Sequence, residues 1–462
     1  MGNISRTNYI IVGIAYVLFA LIFSLLNESM VDKSVVFILS WVGLIQFVLQ
    51  MVQYRKKYGT FFDLYTIFLL FFTLFNFGQC LGWAFGIHTE DEIGARNLYG
   101  FMSATNYDIA RAQLMFLICS FIMHSIVMSK NAYESHNYSI DLKSDVRLFK
   151  IAKMFSIIVF PVSLGYTIFL LQASKIYGYQ ALYYDDIMTN VSPIVIFINK
   201  MFVPCIIALL VGSAYRKKVV MVVYVIFLIY IVIDLSSGDR GAWIYLLIMI
   251  VWMHNKFYHP LSKKMLLIGI CAAYLFFSVT DSITKVRNEG ISIENISQQM
   301  NSDGDNFVVS TVFNMGHTMG VNVVTMAKDA RYPYGISYLL AILGGMSTGV
   351  LDMLGISYST PTKWLSQEYM GITWGAGLSN IAESIINFGS LFAPLIFILI
   401  GMLIRKTLLY YSWNSALRWF VCLALACFLL GTNRSTAHEF MKSIIYGILP
   451  ILITYKFSLK KN

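Results

Sequence analysis

Residues 9–26 read YIIVGIAYVLFALIFSLL, without a single charge. A helix that crosses a bilayer needs about 20 mostly apolar residues, so this run is long enough to span. It lacks the small-residue cleavage site of a secretory signal. Working outward from it, comparable runs recur at 35–52, 61–83, 109–127, 151–171, 194–213, 219–235, 242–253, 265–279, 388–404, 417–430 and 440–455. The run at 242–253 is short, and Gly241 and His254 are available to extend it. The pattern predicts an all-α polytopic membrane protein of about 12 transmembrane helices.

Composition agrees. Hydrophobic residues make up 58% of the chain and charged residues 13%, against about 25% charged in a soluble domain. So little charge cannot cover a wetted surface, and lipid must be the solvent for much of the chain. The net charge of +10 does not point to nucleic acid, because the basic residues sit in short clusters between apolar runs and not on one face.

Those clusters set the expected orientation, since cytoplasmic loops retain Lys and Arg. With the N-terminus inside, the inside loops hold Arg55–Lys57; Lys130, Lys143, Arg147, Lys150 and Lys153; Arg216–Lys218; Lys256, Lys263 and Lys264; and Arg405, Lys406 and Arg418. The termini add Arg6, Lys456, Lys460 and Lys461, for 21 of the 34 basic residues. The alternation never breaks, which predicts that both termini are cytoplasmic.

Three regions follow: 1–279 with nine spans, 280–387 as a large extracytoplasmic loop, and 388–462 with three spans and a cytoplasmic tail. The loop contains Phe307–Val309, Tyr338–Leu343 and Trp364–Tyr369 interleaved with glycines. An apolar loop of that length usually has structure of its own. We expect short helices on or dipping into the outer leaflet, with 335–355 as the candidate re-entrant or additional segment.

Several polar groups stand where a membrane protein should not need them. Arg240 lies in the outside turn 236–241 beside Asp239. Lys285 and Arg287 follow the ninth span. Arg434 lies in the last outside turn, ahead of His438 and Glu439. A functional reading makes these cations a convergent anion site, because guanidinium groups bind phosphate oxygens bidentately. Helix starts near 241 and 439 would add backbone N–H groups pointing outward. The plain reading is that each Arg snorkels to lipid headgroups or pairs locally, Arg240 with Asp239 and Arg434 with Glu439.

Lys200 falls mid-span in 194–213, where a Lys costs about 2.5–3.5 kcal/mol on insertion scales. Either it faces a polar cavity or a carboxylate, or Pro193 and Pro204 break the span and leave it near an interface. Ser379, Glu383 and Asn387 recur every four residues and so share one helix face; such a stripe is costly in lipid unless it lines a cavity. Glu383 is a candidate general base or an orienting partner for an arginine. His438 is a candidate proton acceptor or a hydrogen-bonding turn residue, and His317 is a weaker candidate. Asp303-Gly-Asp305 lacks the full calcium-loop pattern. The six cysteines form no CxxC pair, and no phosphate-loop or GxGxxG motif is present. No metal and no cofactor are expected.

Three stretches resemble the bacterial Wzy-type oligosaccharide repeat unit polymerases, the O-antigen polymerases among them. Ser236-Ser-Gly-Asp-Arg240-Gly-Ala resembles the family's Gly-x-Arg turn. Gly377-Leu-Ser-Asn-Ile-Ala-Glu383-Ser-Ile-Ile-Asn387-Phe-Gly389 resembles its Ala-Glu…Asn-Phe-Gly segment. Arg434, followed by Met441 to Pro450, resembles its arginine-bearing turn before the last helix. Asp239 stands where the family often has a small or hydroxylic residue.

The resemblance implies a polyprenyl-diphosphate-dependent glycosyltransferase, similar in architecture to the GT-C membrane enzymes, in the bacterial cytoplasmic (inner) membrane with its active site facing the periplasm. It would join repeats carried on undecaprenyl diphosphate into a surface polysaccharide, alongside a flippase and a chain-length regulator of the same pathway. In that scheme Arg240, Lys285, Arg287 and Arg434 hold the diphosphate, Arg240 and Arg434 stabilise the leaving group, and Glu383 or His438 serves as base. Asp239, Ser379, Asn387 and Lys200 line the substrate cavity. Two other classes fit the sequence: a ligase using the same chemistry on finished polymer, and a flippase or transporter for lipid-linked oligosaccharide. Accumulated lipid intermediates separate the first, and chain extension by purified protein without energy input separates the second.

Overall fold

The computed structural model describes residues 6–129, 142–177, 191–237, 242–262, 264, 307–356, 358–373, 375–409 and 415–459. Among them the regular elements are helical: α1 (Arg6–Leu25), α2 (Lys33–Tyr58), α3 (Leu64–Ala84), α4 (Asn106–Val127), α5 (Val146–Tyr177), α6 (Pro193–Lys200), α7 (Phe202–Gly212), α8 (Lys217–Ser236), α9 (Ala242–Met253), α10 (Phe307–Gly316), α11 (Met319–Ala327), α12 (Ser337–Met346), α13 (Thr348–Met353), α14 (Pro361–Lys363), α15 (Asn380–Leu408), α16 (Ala416–Gly431), α17 (Ala437–Ser443) and α18 (Leu449–Leu459). Ten stretches of the described residues are long and apolar enough to cross a membrane. The run at 242–253 is helix α9, continued by a π-helical turn His254–Tyr258. The run at 265–279 lies outside the described residues.

The chain divides into two units. The first comprises Met1–Tyr138, Val312–Tyr411 and Thr432–Phe440. At its centre is α3, with Phe68, Phe72 and Phe77 fully buried, while α1 presents Ile10, Ile14, Val17, Leu18 and Leu21 outward. An apolar face that large requires lipid around it. The turn from α2 into α3 is set by Asp63, which caps α3 and takes a hydrogen bond from Tyr54 at 2.9 Å. A polar ladder joins α2 to α4 where water is absent: Gln113 to Ser40 (2.9 Å), Gln50 to the Ser120 carbonyl (3.3 Å), and Gln53 with His124 (3.0 Å), whose other ring nitrogen meets Tyr65 (2.8 Å). Each such interhelical bond contributes about 0.6 kcal/mol on average in a membrane protein.

Four helix ends of this unit meet at one level. Asn8 donates to the Ser125 carbonyl (2.9 Å), Lys57 donates to the Met128 carbonyl (2.6 Å), and Arg405 donates to the Ser129 hydroxyl. The basic ends of α2 and α15 therefore share one end of the unit with the start of α1 and the end of α4, as the charge pattern predicts. A cavity of about 510 Å³ opens near this end, lined by Gln46, Gln50, Gln53 and His124, whose amides already pair with one another or with backbone.

The opposite end carries the long loop, and from Val312 to Ala327 it packs among the helices of this unit. Gly78 of α3 and Gly316 of α10 touch backbone to backbone; a Cβ on Gly316 would lie 2.9 Å from the Gly78 Cα. Gln79 locks the crossing by donating to the Phe313 carbonyl (3.1 Å) and accepting from the Ile93 N–H (2.9 Å). Every residue from Met319 to Met326 of α11 is buried. Asn322 donates to Asn76 at 3.1 Å, and Asn76 stands eight residues, about 12 Å, below the end of α3. Helix α12, with 10 residues, spans about 15 Å, half of a bilayer core of about 30 Å. The chain becomes extended at Ser347 (φ −169°, ψ 134°), so the candidate stretch 335–355 is two short helices, α12 and α13, with a break between them.

The second unit comprises Ser139–Thr311, Ser412–Gly431 and Met441–Asn462. Helix α5 begins at Asp145, whose carboxylate accepts from the Arg147 and Leu148 N–H groups (3.0 Å each) and from Tyr455 (2.8 Å). Phe202 of α7 stacks on Tyr230 of α8 at 4.4 Å.

Candidate active site

Helix α15 opens with four polar residues, and each has a named partner. Ser379 caps the helix, accepting from the Ala382 N–H (3.1 Å) and donating to Asn322 (2.7 Å). Asn380 donates to the Thr432 hydroxyl (3.1 Å). Glu383 accepts from the Ser337 hydroxyl through Oε1 (2.7 Å) and from the Ala437 N–H through Oε2 (2.8 Å). Asn387 accepts from the Ser337 N–H (2.7 Å) and donates to the Ser337 hydroxyl oxygen (2.9 Å).

The stripe Ser379, Glu383, Asn387 does share one face. It bonds to α11 and α12; Ser379 and Glu383 are fully buried, and Asn387 is half-buried. A buried carboxylate needs such partners, because an unpaired one would cost several kcal/mol.

The helix breaks at Gly389, where φ is 73° and ψ 167°. The Arg331 guanidinium lies across the place a side chain would occupy there, so both backbone and space require glycine. The break separates the segment Asn380–Phe388, capped by Ser379, from the apolar run that follows. Arg331 also pairs with Asp329 at 2.8 Å.

Arg434 ends a short 3₁₀ turn, Thr432–Arg434. Asn380 and Glu383, one helical turn apart on α15, hold the residues on either side of it, Thr432 and Ala437. The Arg434 stem packs on Gly377, with Cγ and Nε each 3.5 Å from where a Cβ would sit. Its side chain is exposed. It makes no ion pair among the described residues, with Glu439 included. The expected free helix start near 439 is corrected: helix α17 begins at Ala437, and Glu383 already takes that N–H.

The Arg434 charge acts on two groups of this unit, Tyr99 and His317. Tyr99 (φ 56°) and Gly100 (φ 69°) form the centre of a turn with both residues left-handed, the pattern of a type I′ turn. This aims the Tyr99 ring at His317, with centroids 5.4 Å apart, and its hydroxyl donates to the His317 carbonyl at 3.3 Å. Burial, and then the Arg434 charge, hold the His317 imidazole below the usual histidine range, with Asp91 opposing. The imidazole is neutral at pH 7.

His438 is 3% exposed and its Nδ1 meets the Tyr358 hydroxyl at 2.9 Å. Burial pushes the Tyr358 phenol up, and the carboxylates of Glu383 and Glu439 add to it. In the second unit, Lys200 ends α6 at the point where the span is interrupted before α7. It is half-buried. The interruption is at Lys200–Met201, and Pro204 is accommodated within α7. Arg240, Asp239, Lys285 and Arg287 lie outside the described residues. Among the described residues no group of three His, Cys, Asp or Glu side chains is placed to hold a metal.

Reading residues alone missed Ser337, Tyr99 and Arg331. Arg331 carried the same signal as Arg434, an arginine in a stretch that the charge pattern reads as outside. Ser337 and Tyr99 carried none, because their roles depend on contacts 46 and 218 residues distant.

The family model for the O-antigen polysaccharide polymerase Wzy matches residues 9–462. No curated protein and no solved structure matches the chain. With that match running almost end to end over a bundle of apolar helices, the chain belongs to the O-antigen polysaccharide polymerase Wzy family.

Proposed function

We propose that this protein polymerises undecaprenyl-diphosphate-linked oligosaccharide repeats into an O-antigen-like surface polysaccharide at the outer face of the bacterial cytoplasmic membrane. A hydroxyl of a lipid-linked repeat attacks the anomeric carbon of the growing chain, and undecaprenyl diphosphate leaves. The family membership supports repeat-unit polymerisation in general. The observation that carries the reading to a site is Arg434: an exposed guanidinium on a turn clamped from both sides by α15, at the end of its unit away from the basic loops.

The leaving diphosphate gains negative charge as the C–O bond breaks. A fixed cation that meets it stabilises the transition state more than the ground state. Arg434 supplies that cation in the first unit. Arg240, Lys285 and Arg287 are proposed to share that task, and Asp239, Ser379, Asn387 and Lys200 to line the substrate cavity. Glu383, saturated by Ser337 and Ala437, fits an orienting role for the Arg434 turn, and His438 with Tyr358 supports the same turn. A flippase and a chain-length regulator act with the enzyme.

A deletion strain tests the reading. It should accumulate carriers loaded with one repeat and lack long chains. Polymer of normal length distribution would refute the assignment, and finished polymer retained on the carrier would identify a ligase instead.

A further inference from the structure

Resting on that reading, we infer that His317 is the general base that takes the proton of the acceptor hydroxyl. The step is balanced as follows. The acceptor oxygen forms a bond to the anomeric carbon, its proton passes to a free imidazole nitrogen of His317, and the anomeric carbon–oxygen bond to diphosphate breaks. The electron pair leaves on the diphosphate beside Arg434.

Four observations carry this. First, position: α11, which begins two residues after His317, is tied by Asn322 to Ser379, two residues from the Gly377 on which the Arg434 stem packs, so a sugar held at this corner would present its leaving group to one and its nucleophile to the other. Second, access: His317 is half-buried, whereas Glu383 is fully buried with both oxygens engaged and His438 is 3% exposed with Nδ1 engaged. Third, availability: neither ring nitrogen of His317 hydrogen-bonds to another described residue, although its backbone carbonyl does. Fourth, rigidity: His317 follows Gly316, whose backbone is locked against Gly78, and Tyr99 packs on its ring. A base must be held within hydrogen-bond reach of its proton, and the α10–α11 corner supplies a fixed mount.

The charged and titratable groups facing His317 are Arg434, Asp91 and Tyr99. Asp91 is itself paired with Arg96 at 2.5 Å, so the Arg434 charge is the stronger influence. A neutral imidazole in that field is a proton acceptor at neutral pH, and it becomes a spent base once acid protonates it.

The test uses the full-length purified protein in detergent with a lipid-linked repeat, and undecaprenyl diphosphate as a separate binding probe. For H317Q we expect undecaprenyl diphosphate binding within twofold of wild type and an unchanged unfolding midpoint near pH 8. Chain extension should slow about 100-fold or more, the range for losing a general base. Extension by H317Q within threefold of wild type would overturn the assignment. Wild type supplies a second check that does not depend on the variant folding: its rate should hold at neutral pH and fall in acid, through a His317 value that lies below the ordinary histidine value of about 6.5. A wild-type rate that rises as pH falls below about 6.5 would also overturn it. Wild-type protein that binds the probe but extends nothing would instead refute the polymerase reading itself.

Discussion

Glu383 accepts the backbone N–H of Ala437 at 2.8 Å, and so fixes the start of the helix that follows the Arg434 turn. Its other oxygen holds Ser337 at the head of α12. One buried carboxylate thereby ties the N-terminal end of a spanning helix to both the long loop and the arginine turn. Glu383→Gln keeps one acceptor but sets an amide NH₂ against a donor already present. Leaving a buried group unsatisfied costs about 1–3 kcal/mol. We expect a lower unfolding midpoint with reduced, not abolished, chain extension. Abolished extension with an unchanged midpoint would make Glu383 itself a base.

The crossing of α3 and α10 allows no side chain. Gly316→Val should force the backbones apart, because a Cβ there already meets Gln79 and Gly78 atoms at under 3 Å. We expect a loss of folded protein larger than for Gly165→Val on α5, where nothing lies within 4 Å. Comparing the yields of monodisperse protein from the two variants checks this.

Asn322 links Asn76 of α3 to Ser379 of α15 through hydrogen bonds of 3.1 and 2.7 Å. Asn322→Leu strands both partners in a buried site. The expected loss is about 1–3 kcal/mol, and the Asn76→Ala/Asn322→Ala double variant should lose less than the sum of the single variants. Thermal unfolding of the four proteins measures the coupling.

His317 also makes stability depend on pH. Its imidazole is held below the ordinary histidine value when folded, so the unfolded chain binds the proton more readily. Its contribution is intact above about pH 6.5 and is lost as pH falls through the lower folded value. The unfolding midpoint of wild type should therefore drop more steeply than that of H317Q between pH 7 and 5. Parallel profiles would contradict the shift.

The spanning helices were legible in the residues because eighteen-residue apolar windows leave few alternatives, and the basic clusters correctly grouped the ends of α1, α2, α4 and α15. The packing of α10 and α11 against the bundle was not legible. Helices of ten and nine residues are shorter than any hydropathy window for a span, and their burial comes from packing on α3, α4 and α15. The start of α15 was placed late because four of residues 380–387 are polar (Asn380, Glu383, Ser384 and Asn387), and their partners lie on elements distant in the chain. Arg434 was legible as a cation out of place. Its clamp by Asn380 and Glu383 was not, since it depends on contacts across some 50 positions of the chain.

The most direct test places Arg434 in the reaction. Purified wild-type protein given a lipid-linked repeat should yield a ladder of extended products. Arg434→Ala, with an unchanged unfolding midpoint, should extend about 100-fold or more slowly, the range for removing a transition-state charge partner, and Arg434→Lys should recover only part of that rate because it cannot bind two oxygens in a fork. A ladder from Arg434→Ala at the wild-type rate would contradict the account.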